Sequence, residues 1–173
     1  MSSKLIRLTY ASTAAFKPNE MGGIELAVGQ ILSQSRRNNK KQAIGGVLHY
    51  GNSFFFQCLE GEKEAVEKCY DRVMKDERHR DVKRLSYAEI DQRMFPDWSM
   101  KYLPVEGAIM RVISYYKTEF NPYLFSEFMI SELLKACAPD HTPDLDINQY
   151  FNKSGKSRRS MWSRLMGRNT QRF

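Results

Sequence analysis

An isolated amide in an apolar segment is the feature of the sequence that most suggests chemistry. In residues 54–59 every side chain except that of Gln57 is apolar, and an extended strand would place these apolar groups on both of its faces. A buried primary amide has up to four hydrogen bonds to satisfy, and each unpaired group costs on the order of 1–3 kcal/mol. We expect Tyr10 and the pair Asn38-Asn39 to reach the same side of the sheet. A phenol and three amides that converge between two helices indicate a flat ligand with several donors and acceptors.

Most of these residues, taken singly, also have a purely structural interpretation. Tyr10 can be a buried phenol bonded to the backbone, and Asn38-Asn39 can end a helix because asparagine tolerates the left-handed conformation. Arg72 and Asp76 are four residues apart and can form an ordinary helical ion pair, which contributes only about 0.3–0.5 kcal/mol. Only their joint occurrence favours a ligand.

The elements that position these side chains alternate between strand and helix. Five segments have the apolar alternation or the β-branched content of strands: residues 4–10, 43–50, 53–59, 84–91 and 98–103. Two segments between them have the spacing of amphipathic helices: residues 24–39 and 62–76. The predicted boundaries are Tyr10 at the end of the first strand, a hairpin turn at Gly51-Asn52, a strand end at Glu60-Gly61 and a polar loop at Arg78-His79-Arg80.

This order predicts an α/β fold, a ferredoxin-like five-stranded mixed sheet with two helices on one face. The other face needs a cover, and apolar spacing in residues 107–119 and 123–137 predicts a C-terminal helical pair that packs on it. We therefore divide the chain into a ligand-binding domain at 1–104, a helical extension at 105–140 and a basic tail at 141–173.

The charge of the chain is confined to its end. The sequence has 27 Lys+Arg and 20 Asp+Glu, a net charge of +7, and all of this excess lies in residues 151–173, which contain no acid. The neutral remainder argues against a nucleic-acid-binding protein as a whole. The tail itself can be solvated chain, a contact for a protein partner, or a segment that binds nucleic acid or acidic lipid.

Cysteine and histidine usage points away from disulfides and metals. Cys58, Cys69 and Cys137 form no paired motif, which predicts a reducing, cytoplasmic location. The three histidines are too dispersed for a metal cluster, and we expect no metal. No apolar run approaches the roughly 20 residues of a membrane span, and the first residues lack the apolar region of a signal peptide.

Six short segments in order together resemble the BLUF domain, the sensor of blue light using FAD. The resemblance covers residues 4–104, and the segments that carry it are Thr9-Tyr10-Ala11-Ser12, Asn38-Asn39, Ile44-Gly45-Gly46-Val47-Leu48, Phe56-Gln57-Cys58-Leu59-Glu60-Gly61, Asp76-Glu77-Arg78-His79 and Trp98-Ser99-Met100. The glycines match no phosphate-binding motif, so the FAD cofactor is implied by the resemblance alone.

The resemblance implies a role for each candidate residue. The flavin ring would lie between the two helices, Tyr10 would hydrogen-bond Gln57, Gln57 would bridge to flavin N5 and the C4 carbonyl, and Asn39 would hold the C4 carbonyl and N3 edge. Light would move an electron and a proton from Tyr10 and leave Gln57 in a changed orientation or tautomer, with Trp98 and Met100 as its neighbours. The other cofactor-binding positions implied are Ile24, Ile31, Asn38, Arg72, Asp76 and His79.

The implied function is a photoreceptor that turns over no substrate. Its output would pass through non-covalent contact with a downstream protein such as a transcription regulator, with the helices at 107–119 and 123–137 as the coupling element and homo-oligomers as a further possibility. The alternatives are a flavin-dependent redox enzyme and a ferredoxin-like nucleic-acid-binding module. The sequence departs from the family at Gly45, usually threonine, at His49, usually apolar, and in a longer loop at 13–23.

Overall fold

A computed structural model describes residues 4–15, 24–103, 109–110, 113–114 and 119–138. The strands are β1 (Leu5–Ala14), β2 (Gly45–Gly51), β3 (Phe54–Glu62), β4 (His79–Ile90) and β5 (Lys101–Tyr102). The helices are α1 (Ile24–Lys41), α2 (Lys63–Met74) and α3 (Glu127–Ala136), with a 3₁₀ turn at Pro122–Leu124. This order confirms the predicted alternation of strands and helices.

The five strands form one mixed sheet in the order β4-β1-β3-β2-β5. β3 is antiparallel to both β1 and β2, β4 is antiparallel to β1, and β5 is parallel to β2. β3 is thus central, as its apolar residues on both faces predict, and the register places Tyr10 directly opposite Gln57. The ferredoxin-like fold class is confirmed.

Each face of the sheet has its own apolar core. On one face α1 and α2 pack over strand residues such as Ile6, Leu48 and Phe55. On the other face the chain after β5 and α3 covers the following residues of the sheet: Val47, Phe56 and Cys58. The segment 123–137 therefore covers the predicted face, whereas most of the predicted helix 107–119 lies outside the described residues.

Several predicted boundaries were wrong, because strand pairing extends beyond the apolar alternation. β1 continues to Ala14, so Tyr10 lies inside the strand and not at its end. β4 begins at His79, opposite Ala14, in what was predicted as a polar loop. β3 passes through Glu60-Gly61, since the buried Glu60 carboxylate is paired with the Arg7 guanidinium and accepts hydrogen bonds from two backbone amides.

The hairpin and the last strand also differ in detail from the prediction. Asn52 and Ser53 both have positive φ, at 47° and 64°, so the two-residue turn lies one position later than predicted. β5 is only two residues long, and Trp98 lies in the loop before it. In the described part of the chain no helix is long and apolar enough to span a membrane.

Candidate functional site

A cleft opens between α1, α2 and the underlying sheet. Its volume is about 520 Å³ when the part open to solvent is counted. The predicted residues that line it come from both helices, from three strands and from the loop after α2: Tyr10, Ile31, Asn38, Asn39, Gln57, Arg72, Asp76 and His79. Residues predicted from separate parts of the sequence therefore share one cavity.

The floor of the cleft carries the pair Tyr10 and Gln57. The Tyr10 hydroxyl donates a hydrogen bond to Gln57 Oε1, and both side chains are buried. Burial raises the pKa of Tyr10 well above its ordinary value, so the phenol is a neutral donor. The other end of the amide, Gln57 Nε2, is 3.6 Å from the Met100 sulfur, which is a weak acceptor. The amide is therefore strongly held at one end only.

The amide of Asn39 lies at the last turn of α1. Its Nδ2 donates to the Ser99 carbonyl at 2.9 Å, and its Oδ1 accepts from the Cys69 thiol at 3.6 Å. Because Asn39 is almost fully buried, these contacts fix the direction of its polar edge. One N–H and one lone pair remain for a ligand in the cleft.

The rim is organised by Arg78, which the sequence analysis did not select. Its guanidinium makes a two-pronged ion pair with Asp76 and donates to Gln34 at 2.8 Å. Burial raises the pKa of Asp76, but the hydrogen bonds from Arg78 outweigh it and hold that pKa below its ordinary value. The ion pair considered for Arg72 and Asp76 does not form, since Asp76 lies beyond the end of α2 and Arg72 donates to Gln42 at 2.9 Å.

His79 is a neutral part of the cleft wall. Its Nδ1 is 2.8 Å from the Ser12 hydroxyl, and its ring centroid is 4.7 Å from that of Phe55. Burial lowers the pKa of His79 to about 4. The imidazole is therefore uncharged at neutral pH, in spite of the neighbouring Asp76 carboxylate.

The two predicted neighbours of Gln57 lie on opposite sides of the sheet. Met100 contacts Gln57 in the core beneath the helices, whereas Trp98 stacks on Phe95 with a centroid distance of 5.5 Å in the other core. The Lys101 ammonium lies 3.6 Å from the Trp98 ring centroid. The structure thus brings Met100, and not Trp98, to the cleft residues.

Glycine at position 45 explains part of this arrangement. A Cβ on Gly45 would lie 2.1 Å from the Phe95 carbonyl oxygen, so only glycine admits the loop that carries Phe95 and Trp98. Glu60 fastens the same loop through hydrogen bonds to the backbone amides of Met94 and Phe95, at 2.8 and 2.9 Å. Glycine in place of the family's usual threonine at position 45 therefore allows the loop that carries Phe95 and Trp98 to pack directly on the sheet.

Other lining residues could have been found by helical spacing. Gln34 and Ser35 lie one turn before Asn38 on α1, and Cys69 and Val73 flank Arg72 on α2. Ile24 begins α1, but its side chain lies outside the described residues, as do residues 16–23 of the loop and the whole basic tail.

Comparisons with known proteins agree on one family. The family model described as BLUF, sensors of blue-light using FAD, matches residues 5–101. Photoactivated adenylate cyclase subunits of Euglena gracilis are 36% identical over 97 residues (beta) and 39% over 92 residues (alpha), or 56% and 53% of this chain. The matches span only 11% and 8% of those proteins, about a tenth of their length.

Solved structures extend the similarity beyond the sheet. The photo-activated state of BlsA is 36% identical, with a TM-score of 0.70, and the match covers 76% of this chain and 92% of that one. The dark-state structure of BlrB, a BLUF protein, is 24% identical with a TM-score of 0.66, covers 81% of this chain and 99% of that one, and supports the fold alone.

Proposed function

The chain belongs to the BLUF family of flavin-binding blue-light photoreceptors, and we propose that it binds FAD in the cleft and uses Tyr10 and Gln57 as its photoactive switch. The single observation that carries the assignment of the switch is the direct hydrogen bond from the Tyr10 hydroxyl to Gln57 Oε1 at the floor of the cleft.

The residues that line the cleft fit a flavin. The cleft has apolar walls at Ile31 and Val73 for a planar ring, and amides at Asn38, Asn39 and Gln57 for its polar edge. The weak contact from Gln57 Nε2 to sulfur leaves that N–H available for a better acceptor. Arg72 and Arg78 lie at the rim, where the charged end of the cofactor would leave the cleft.

A bound flavin supplies absorption of blue light and, once excited, an electron acceptor. Tyr10 is the donor: its neutral phenol can release an electron while its proton moves along the existing hydrogen bond to Gln57 Oε1. Return of the electron and proton leaves Gln57 free to settle in a rotated or tautomeric form. Because an amide has unlike ends, this change exchanges a donor for an acceptor, and a buried mismatch of that kind is costly enough to move neighbours.

Met100 is the first neighbour that such a change displaces, since its sulfur contacts Gln57 Nε2 and its residue precedes β5. We propose that the displacement reaches the helical extension at 105–140 and alters contact with a downstream regulator protein. The proposal keeps the domain limits given by the sequence, at 1–104, 105–140 and 141–173. It also includes a cytoplasmic location, association of copies of the chain and a contact made by the basic tail.

The test is an absorption spectrum of the purified protein before and after blue illumination. We expect bands of an oxidised flavin, released as FAD on denaturation, that shift to longer wavelength in light and return in the dark. Tyr10→Phe and Gln57→Leu should keep the flavin and lose the shift. Tyr50→Phe is the matched control, because Tyr50 is a buried tyrosine outside the cleft. A normal shift in Tyr10→Phe would refute the switch.

A further inference from the structure

His49 is a buried polar residue on the sheet face away from the cleft. Its side chain is 0% exposed, and its partner across β3 is Phe56, which belongs to the core beneath the C-terminal extension. An imidazole in such surroundings must be explained by a specific contact, because burying an unpaired polar group is unfavourable.

That contact is with the chain that leaves β5. His49 Nδ1 is 2.6 Å from the Leu103 carbonyl oxygen, and since a carbonyl only accepts, the proton lies on Nδ1. The Leu103 amide in turn donates to the Leu48 carbonyl at 2.7 Å. The carbonyl and the amide of Leu103 are therefore bonded to two neighbouring residues of β2, His49 and Leu48. Leu103 follows Tyr102, whose pairing with Leu48 is the last between β2 and β5.

The other side of the imidazole faces Phe120. The two rings meet edge to face, with centroids 4.5 Å apart. A Cβ on Gly51 would lie 3.0 Å from His49 Nε2 and 3.3 Å from the Phe120 ring, so this glycine leaves room for the pair. The Asn52 amide also donates to the Phe120 carbonyl at 3.2 Å. The β2–β3 hairpin thus holds Phe120 by both its ring and its backbone.

His49 Nε2 has no hydrogen-bond partner among the residues that the structure describes. The imidazole therefore uses Nδ1 to bind the Leu103 carbonyl, while its Nε2 stays without a hydrogen bond in the core next to Phe120. Burial lowers the pKa of His49 to about 4, against the opposing effect of the bond to Leu103, so the group is neutral at physiological pH and its donor stays in place.

We propose that His49 is a positioning residue that ties Leu103 and Phe120 to the central sheet, and that it transmits displacement of Met100 to the C-terminal extension. Met100 and Leu103 are three residues apart, on either side of the two residues of β5. A displacement of Met100 that shifts this short strand moves the Leu103 carbonyl that His49 holds, and the His49 ring, which contacts Phe120, moves with it. The transmission half of this inference rests on the proposed light switch, while the tie itself does not.

The tie is tested in the dark by nitrogen NMR of the imidazole in the full chain at pH 7. We expect the neutral form with its proton on Nδ1. A proton on Nε2 or a charged imidazolium would overturn the inference, and this measurement needs no variant that must fold.

The second dark measurement is amide hydrogen exchange in residues 119–137. His49→Phe keeps a ring but removes the donor, so we expect exchange about tenfold faster there, which corresponds to about 1.4 kcal/mol. His49→Asn places an amide N–H near the Nδ1 position and should restore much of the protection. Equal exchange in wild type and His49→Phe would contradict the tie.

The light measurement separates the inference from the proposed function. Wild type should show both the absorbance shift and a light-induced change in amide exchange at 119–137. His49→Phe should keep the absorbance shift and lose the light-induced change in exchange. A variant that keeps both refutes transmission through His49. Loss of the absorbance shift in wild type refutes the proposed switch and the transmission with it, whereas the NMR result still decides the tie.

Discussion

The buried hydrogen bond between Tyr10 and Gln57 leads to a prediction about stability as well as about light. Tyr10→Phe removes the donor and leaves Gln57 Oε1 buried without its partner. Among the residues that the structure describes, the hydrogen-bond contact of Gln57 Nε2 is the Met100 sulfur at 3.6 Å, which cannot donate, so turning the amide round does not recover the loss. An unpaired buried group costs about 1–3 kcal/mol, and we expect the flavin-free protein to lose free energy of unfolding in this range.

The double substitution gives the sharper test. Gln57→Leu alone leaves the Tyr10 hydroxyl unpaired, and its cost should be similar to that of Tyr10→Phe. When both changes are combined, neither group is left unpaired, so the double variant should be more stable than the sum of the single effects implies by about 1–3 kcal/mol.

Urea unfolding of the four flavin-free proteins measures this coupling. With a slope of about 2 kcal/mol per M, a loss of 2 kcal/mol lowers the midpoint by about 1 M. Tyr50→Phe, in which the lost hydroxyl bond is to Ser53, should combine additively with Gln57→Leu. Strict additivity of Tyr10→Phe and Gln57→Leu would show that the two side chains do not depend on each other, and would refute the reasoning.

Three further predictions follow from buried groups outside this pair. Because burial lowers the pKa values of His49 and His79 to about 4, the unfolded chain binds more protons below pH 6.5, so urea midpoints should be constant between about pH 7 and 8 and fall between pH 6.5 and 4; a flat profile down to pH 4 would contradict this. Gly45→Thr places a Cβ 2.1 Å from a carbonyl oxygen and should lower Tm by several degrees, whereas Gly29→Ala, with nothing within 4 Å, should keep or raise it. Glu60→Ala leaves the Arg7 guanidinium and the backbone amides of Met94 and Phe95 without their partner, and calorimetry should show a loss of about 3–5 kcal/mol in the free energy of unfolding. Wild-type stability would show that the buried carboxylate is not needed.

Much of the fold could be predicted because its elements carry their own periodicity. The apolar residues on both faces of β3 placed it at the centre of the sheet, and the spacing along α1 and α2 predicted two helices on one face. The strand ends could not be predicted in this way. Ala14 and His79 are strand residues because they face each other across β1 and β4, and such pairing leaves no local pattern.

The sequence alone determined which residue types are available to hold a ring and switch a hydrogen bond: a phenol, a strand amide and a pair of asparagines. The tertiary structure decided their partners. Asp76 binds Arg78 and not Arg72, Met100 and not Trp98 reaches Gln57, and His49 fastens the chain after β5. The physical reason is that hydrogen bonds and close packing depend on distances of a few tenths of an ångström between residues far apart in the chain, whereas periodicity records only which side of an element is buried.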